Sequence, residues 1–368
     1  MMNRSMKSKS KDAVLVTYPS NHVAEEAKAL AESAGYSIKE TVTQRHLTRS
    51  TYGIGKGKAE QVREIVRTTG ARYLIFDEVL KPTQQYNLAN LCKTDIIDRE
   101  KLILEMFDLR SSTGESKMQI DLAQLHYDIV RIKEKVRLAK KGEQPGFLGL
   151  GKYDADVHIL DIKRRMAILK KKLHKEENRK LLHRISRARY DLPTISIAGY
   201  TSAGKTTLFN RLTGEFKLVE SSLFTTLSTV SRAIDLNRKK VIVSDTVGFI
   251  SKLPAYLVDA FNSTLQDLKF ANLILLVLDV SRPYEVIRKQ LSSSLIVMNH
   301  LGISTGNVIY VMNKADLVDH DSIIQAIKTL DLPDKDHKCA IISAKTGMNV
   351  ESLLKSLELM VAARFGQV

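Results

Sequence analysis

Between residues 13 and 115, short apolar runs alternate with stretches whose apolar positions recur every third or fourth residue. The runs "AVLVTY" (13–18), "SIKETVTQR" (37–45), "ARYLIFDE" (71–78) and "TDIID" (94–98) read as strands. Between and after them, "AEEAKALAESAG", "KAEQVREIVRTTG", "PTQQYNLANLC" and "REKLILEMFDLR" read as helices, the third opening on Pro82, whose fixed φ suits a helix start. This alternation predicts a small parallel sheet covered by helices, an N-terminal α/β domain over residues 1–115.

From residue 116 the pattern changes. Leu122, Leu125, Ile129, Ile132 and Val136 form one helical stripe, and Ile159, Ile162, Met166, Leu169 and Leu173 form another after a break at "GEQPGFLGLGKYD". Two long amphipathic helices around a loop containing Gly and Pro predict an antiparallel hairpin over residues 116–188. Strand and helix alternation then resumes over residues 189–368. Here each apolar run ends in chemistry: "TISIA" at a glycine-rich loop, "KVIVS" at Asp245, "LILLVL" at Asp279, "VIYVM" at Asn313 and "CAII" at Ser343. Ligands of open α/β sheets gather at the carboxyl ends of the strands, as such an arrangement requires.

Charge changes the picture only where it is concentrated. The chain of 368 residues carries a net +16, and residues 131–189 hold 19 Lys and Arg against 7 Asp and Glu, a net +12. A surplus of that size in the hairpin points to a polyanionic partner. Cys92 and Cys339 have neither zinc spacing nor a disulfide framework, which suits a reducing compartment. The N-terminus "MMNRSMKSKSKDA" has no apolar core of a signal peptide, and the longest apolar run, 273–278, is too short to span a bilayer. A cytoplasmic location is expected, with peripheral membrane association left open.

The stretch "GYTSAGKTT", Gly199 to Thr207, matches the phosphate-binding pattern G-x-x-x-x-G-K-[ST] between a strand and a helix. Backbone N–H groups of Gly199, Tyr200, Thr201, Ser202, Ala203 and Gly204, with Thr207 beyond, would wrap the phosphates, helped by the positive end of the following helix. Lys205 would reach the β- and γ-phosphate oxygens, and Thr206 would ligate Mg²⁺. In "DTVG", Asp245 would hold the Mg²⁺, directly or through water, and Gly248 would sense the γ-phosphate. The base is read by "NKAD", Asn313 to Asp316, with "SAK", Ser343 to Lys345. Asp316 accepts from the two donors on one edge of guanine, Lys314 lies along the ring, and the Ala344 N–H donates to the guanine oxygen, so GTP is selected over ATP. Between the loop and Asp245, "SSLFTTLSTVSR" offers Thr225, Thr226 and Thr229 as the threonine that ligates Mg²⁺ when the γ-phosphate is present.

These motifs resemble the HflX branch of translation-associated P-loop GTPases: "GYTSAGKTTLFNRLTGE", "LFTTL" and "DTVGFISKLPAYLVDAFNSTLQD" in the last domain. "GIGKGKAEQV", "IFDEVLKPTQQYNL", "IIDREKLILEMF" and "MQIDLAQLHY" resemble that branch's N-terminal region. The resemblance places the switch threonine at Thr226, beside Phe224 and Thr225 in the nucleotide site, and makes Lys205, Thr226 and Gly248 the candidate catalytic set. It implies a GTPase that binds the large ribosomal subunit and, in bacterial members, separates ribosomal subunits under stress.

Departures from the family pattern qualify this picture. Ser202 replaces an asparagine that in related GTPases helps bind an activating potassium ion, so the resemblance leaves potassium activation open here. The switch segment reads "TLSTV" in place of "TLDPT", and the loop between the long helices lacks the family's "RGPGE". One helix pattern follows Lys345, so a C-terminal extension of the kind other members carry is not expected. Phe249 occupies the place of the glutamine that orients water in Ras-type GTPases, which predicts slow intrinsic turnover and stimulation by a bound partner. Other switches fit the same residues: one whose basic helices bind an acidic membrane surface or protein, and a transfer-RNA-modification accessory GTPase. Gly53, Gly55 and Gly57 lack dinucleotide-binding spacing and read as a turn before a helix.

Overall fold

The computed structural model describes residues 11–48, 51–140, 152–189, 192–215, 230–237, 239–260, 262–333 and 338–365. The threonine-bearing segment with Phe224, Thr225, Thr226 and Thr229, and most of the loop expected between the long helices, lie outside the described residues. The chain divides into two compact units, Met1–Leu109 with Ile120–Ile168, and Arg110–Gln119 with Leu169–Val368.

The first unit is built on β1 (Lys11–Thr17), α1 (Asn21–Ser33), β2 (Tyr36–Thr43), α2 (Lys56–Thr69), β3 (Tyr73–Phe76), α3 (Pro82–Cys92), β4 (Asp95–Asp98) and α4 (Arg99–Arg110). All four strands are parallel, in the order β2-β1-β3-β4. Val14, Val16, Leu74 and Phe76 pack with Val62 and Val66 of α2 and Leu88 of α3 in one apolar cluster. Gly53 takes φ 77° where a Cβ would meet Leu80, the Leu47 carbonyl and the Phe76 ring, and Gly55 is the N-cap of α2. The glycines therefore make a turn into a helix, as their spacing suggested.

At the carboxyl ends of these strands the polar residues pair with one another. Thr17 Oγ1 donates to Asp77 Oδ2 at 2.7 Å, and the buried Arg99 binds Asp77 through Nη1 and Glu26 Oε1 through Nη2 at 2.6 Å. Burial works against the Arg99 charge, but Asp77 and Glu26 outweigh it and hold the guanidinium above its ordinary pKa. Beside it, Arg131 pairs with Asp98 and stacks 3.3 Å over the Tyr127 ring, whose hydroxyl donates to Asp98 Oδ1 at 3.1 Å. Burial pushes the Asp98 carboxyl up, with Arg131 pulling the other way. Arg131 and Tyr127 belong to α5 (Gly114–Lys140), which is followed by α6 (Lys152–Arg189). Near the start of α5, Glu115 accepts from Lys180 of α6 at 2.8 Å.

The second unit carries β5 (Thr194–Gly199), α7 (Lys205–Thr213), β6 (Val230–Leu236), β7 (Lys239–Asp245), α8 (Ala255–Ala260), α9 (Asn262–Lys269), β8 (Leu273–Asp279), α10 (Tyr284–His300), β9 (Val308–Asn313), α11 (His320–Thr329), β10 (Cys339–Ile341) and α12 (Val350–Phe365). Its sheet has the order β10-β9-β8-β5-β7-β6, parallel except for the edge strand β6. Strands β8 and β9 are buried at every position, as continuous apolar runs in a sheet covered on both faces must be. The register aligns Ile197 with Asp245, Gly199 with Val277, and Asp279 with Asn313. The sheet thus delivers the chemistry-bearing strand ends to one edge, on either side of β5.

Candidate nucleotide site

The loop from β5 to α7 turns on two glycines. Gly199 has φ 141°, and a Cβ there would lie 2.3 Å from the Val277 carbonyl oxygen of the neighbouring strand. Gly204, with φ 94°, is the N-cap of α7, and its Cβ would strike Asn313 Nδ2 at 2.3 Å. Both positions need a residue without a Cβ. Ser202 is exposed and also left-handed, at φ 60°. Tyr200, Thr201 and Ala203 are buried, while Thr207 is half-buried in the first turn of α7.

Lys205 is only 7% exposed, and its Nζ donates to the Tyr200 carbonyl at 2.7 Å. Burial draws its ammonium down to about 8, with Asp245 pulling it up. Thr206 Oγ1 donates to Asp245 Oδ2 at 3.0 Å, both residues being buried. Two hard oxygen donors therefore sit side by side, a pair of the kind a divalent cation such as Mg²⁺ takes. Gly248 lies against the same lysine: a Cβ there would be 3.0 Å from Lys205 Nζ and 2.9 Å from Thr201 Cγ2. The segment after it runs along the loop, Phe249 pairing with Tyr200 as an isolated parallel bridge. The Phe249 ring is 2% exposed and offers no polar atom to orient a water.

The residues expected to read the base come from three elements. Asn313, buried at the end of β9, donates through Nδ2 to the Ala203 carbonyl at 2.8 Å and accepts the Ala344 N–H at 2.9 Å. One side chain thus links the phosphate loop to the Ser343–Lys345 segment. Lys314 is left-handed at φ 68°, and its Nζ donates to Asp279 Oδ2 at 2.6 Å. Asp316 stands exposed in a single 3₁₀ turn, Ala315–Leu317. Ser343 accepts the Thr346 N–H through its hydroxyl and the Gly347 N–H through its carbonyl, which closes the loop that presents Ala344 and Lys345.

Sequence reasoning singled out Asp279 as a strand end but not as the partner of Lys314. It also missed that Arg211 of α7 donates to the Thr346 carbonyl at 2.8 Å, and that the Tyr200 hydroxyl accepts the Ser251 N–H at 2.7 Å. An arginine facing outward on a helix and a tyrosine inside a glycine loop carry no spacing signal of their own.

A family model described as "GTP-binding GTPase N-terminal" matches residues 21–108, one described as "GTP-binding GTPase Middle Region" matches 110–187, and one described as "50S ribosome-binding GTPase" matches 194–314. GTPase HflX of Methanocaldococcus jannaschii is 39% identical over 311 residues, covering 83% of this chain and 75% of that protein. GTPase HflX of Thermofilum pendens is 37% identical over 338 residues, covering 92% and 79%. The crystal structure of SsGBP in complex with GDP superposes with a TM-score of 0.56 at 29% identity, covering 96% of this chain and 99% of that one. Likeness across all three segments, and to proteins of the same name over most of their length, makes the chain a member of the HflX family, a GTPase that binds GTP and hydrolyses it.

Proposed function

We propose that this GTPase is a nucleotide-controlled switch on the large ribosomal subunit, binding ribosomal RNA with its basic long helices and separating ribosomal subunits under stress. The observation that carries this reading is the net +12 over residues 131–189, with Lys163, Arg164, Arg165, Lys170, Lys171 and Lys172 all exposed on α6. A dense exposed cation array releases counterions when it meets phosphates, which gives affinity without base readout. The family description "50S ribosome-binding GTPase" for residues 194–314 supports the same partner. In this reading residues 1–115 form an N-terminal α/β domain, residues 116–188 the RNA-directed basic hairpin, and residues 189–368 the GTPase domain.

Within that domain we assign the phosphates to Gly199–Thr207, the γ-phosphate to Lys205 and Gly248, and guanine to Asn313, Lys314, Asp316 and Ser343–Lys345, with Phe224, Thr225 and Thr226 also in the GTP-binding set. Mg²⁺ fits the adjacent oxygens of Thr206 and Asp245, with Thr226 as its third protein ligand. A bound Mg²⁺ would supply charge neutralisation on the β- and γ-phosphates. The chain's own part is to surround the transferring group with Lys205 and backbone N–H donors. Phe249 stands where Ras-type GTPases carry the glutamine that orients the attacking water, so intrinsic turnover is slow and the ribosome stimulates it. Sedimentation with purified large subunits, beside anionic liposomes and transfer RNA at equal ionic strength, tests the partner. Binding to large subunits that is stronger with a non-hydrolysable GTP analogue than with GDP is expected, and equal retention by liposomes would contradict the proposal.

A further inference from the structure

Hydrogen bonds attach the segment after Gly248 to the phosphate loop. The Phe249 N–H donates to the Gly199 carbonyl at 3.0 Å, and the Thr201 N–H donates to the Phe249 carbonyl at 2.8 Å. A third comes from a side chain: the Ser251 N–H donates to the Tyr200 hydroxyl at 2.7 Å. The first two bonds both act at residue 249, so by themselves they leave the segment free to pivot about that residue. An anchor two residues further on removes the pivot. The Tyr200 ring is buried, as are Phe249 and Ile250, so the anchor is stiff: a tyrosine held by packing has no rotamer left to choose. Tyr200 also touches the other end of the problem, because its carbonyl accepts from Lys205 Nζ at 2.7 Å. The residue this arrangement fixes is Gly248, wedged against Lys205 Nζ and Thr201.

We infer that Tyr200 is a positioning residue for γ-phosphate recognition, its hydroxyl clamping residues 249–251 to the phosphate loop so that the Gly248 N–H is held beside Lys205 before nucleotide arrives. This rests on the assignment of Gly248 to the γ-phosphate. A donor fixed in advance costs no reorganisation when the ligand binds, and that saving applies only to ligands that have a γ-phosphate. The Tyr200 hydroxyl therefore biases the site toward GTP over GDP without itself touching either.

Tyr200→Phe removes the hydroxyl and keeps the ring. We expect affinity for a non-hydrolysable GTP analogue to fall about fivefold, the worth of one ordinary hydrogen bond, while GDP affinity changes by less than about twofold. A tyrosine that merely supports the loop would weaken both nucleotides equally, so an unchanged GTP-to-GDP affinity ratio would overturn the inference. If the variant does not fold, hydrogen exchange on the unaltered chain decides. The amides of Phe249 and Ser251 should be protected without nucleotide and gain little on adding the GTP analogue, whereas protection that appears only with the analogue would overturn the inference. An ATP analogue is measured in parallel. Equal binding of ATP and GTP would undo the guanine assignment itself, an outcome distinct from a guanine-selective site whose GTP-to-GDP ratio ignores Tyr200.

Discussion

Lys205 is a cation held under its own loop, and its environment sets a pH dependence. Burial lowers its ammonium to about 8, against the opposing pull of Asp245. Nucleotide phosphates favour the charged form and so raise that value on binding. Below about pH 8 the lysine is already protonated and affinity is flat; above it, binding must take up a proton and affinity falls by up to about tenfold per pH unit. Calorimetric titration of GDP in buffers of different ionisation enthalpy measures both the fall and the proton uptake, and a flat profile with no uptake at alkaline pH would refute the description. At the base, Asp316→Asn replaces an acceptor with a donor facing guanine. It should weaken GTP on the order of 10²-fold or more while improving xanthosine nucleotides, measured by competition. Phe249 makes the opposite kind of prediction. Its ring has no group to activate water, so Phe249→Ala should leave the intrinsic single-turnover rate within about an order of magnitude. A collapse of hydrolysis with intact GTP affinity would give the ring a role denied to it here.

At the scale of elements, the parallel sheet of the first unit keeps charge at its carboxyl edge, where Arg99 bonds Asp77 and Glu26. Arg99→Ala removes the cation that Asp77, deeply buried, and Glu26 share, and should lower the stability of this unit by about 3–5 kcal/mol, read by scanning calorimetry of the full chain. A loss within about 0.5 kcal/mol, the range of an ordinary surface substitution, would show that the network relaxes freely. Such a network is what a sequence hides: Thr17, Asp77, the Asp98–Arg99 pair and Arg131 lie far apart along the chain, and nothing in their spacing brings them together. The strands and helices around them were legible, because continuous apolar runs and helical stripes mark buried elements directly. Of the second unit's six strands, β6 escaped prediction. Its residues Val230–Leu236 are mostly half-buried or exposed at the sheet edge, with Arg232 and Asp235 among them, so the apolar signal is weak. Asn237, left-handed at φ 46°, and the Leu236–Lys239 pair across the turn were the available clue. The site was more legible than the fold, because its motifs fix residue type and spacing together. What remained invisible were the links between motifs, such as Asn313 joining Ala203 to Ala344, which depend on tertiary approach.

For the whole molecule, the account rests on charge placed where no fold requires it. The nucleotide site explains GTP, but not why residues 131–189 should carry a net +12 while the remaining 309 residues of the chain together carry +4. Counterion release makes that surplus measurable. If the exposed lysines of α6 meet ribosomal RNA, the logarithm of affinity for large subunits falls linearly with the logarithm of salt, by about 0.7 to 0.9 per phosphate neutralised. The most direct test of the proposal compares this slope for the unaltered protein and for Lys170→Glu, Lys171→Glu, Lys172→Glu combined, both loaded with a non-hydrolysable GTP analogue. A flatter slope and weaker binding in the triple variant, with GTP affinity unchanged, is the predicted result; a triple variant that binds large subunits with the unaltered slope would contradict it.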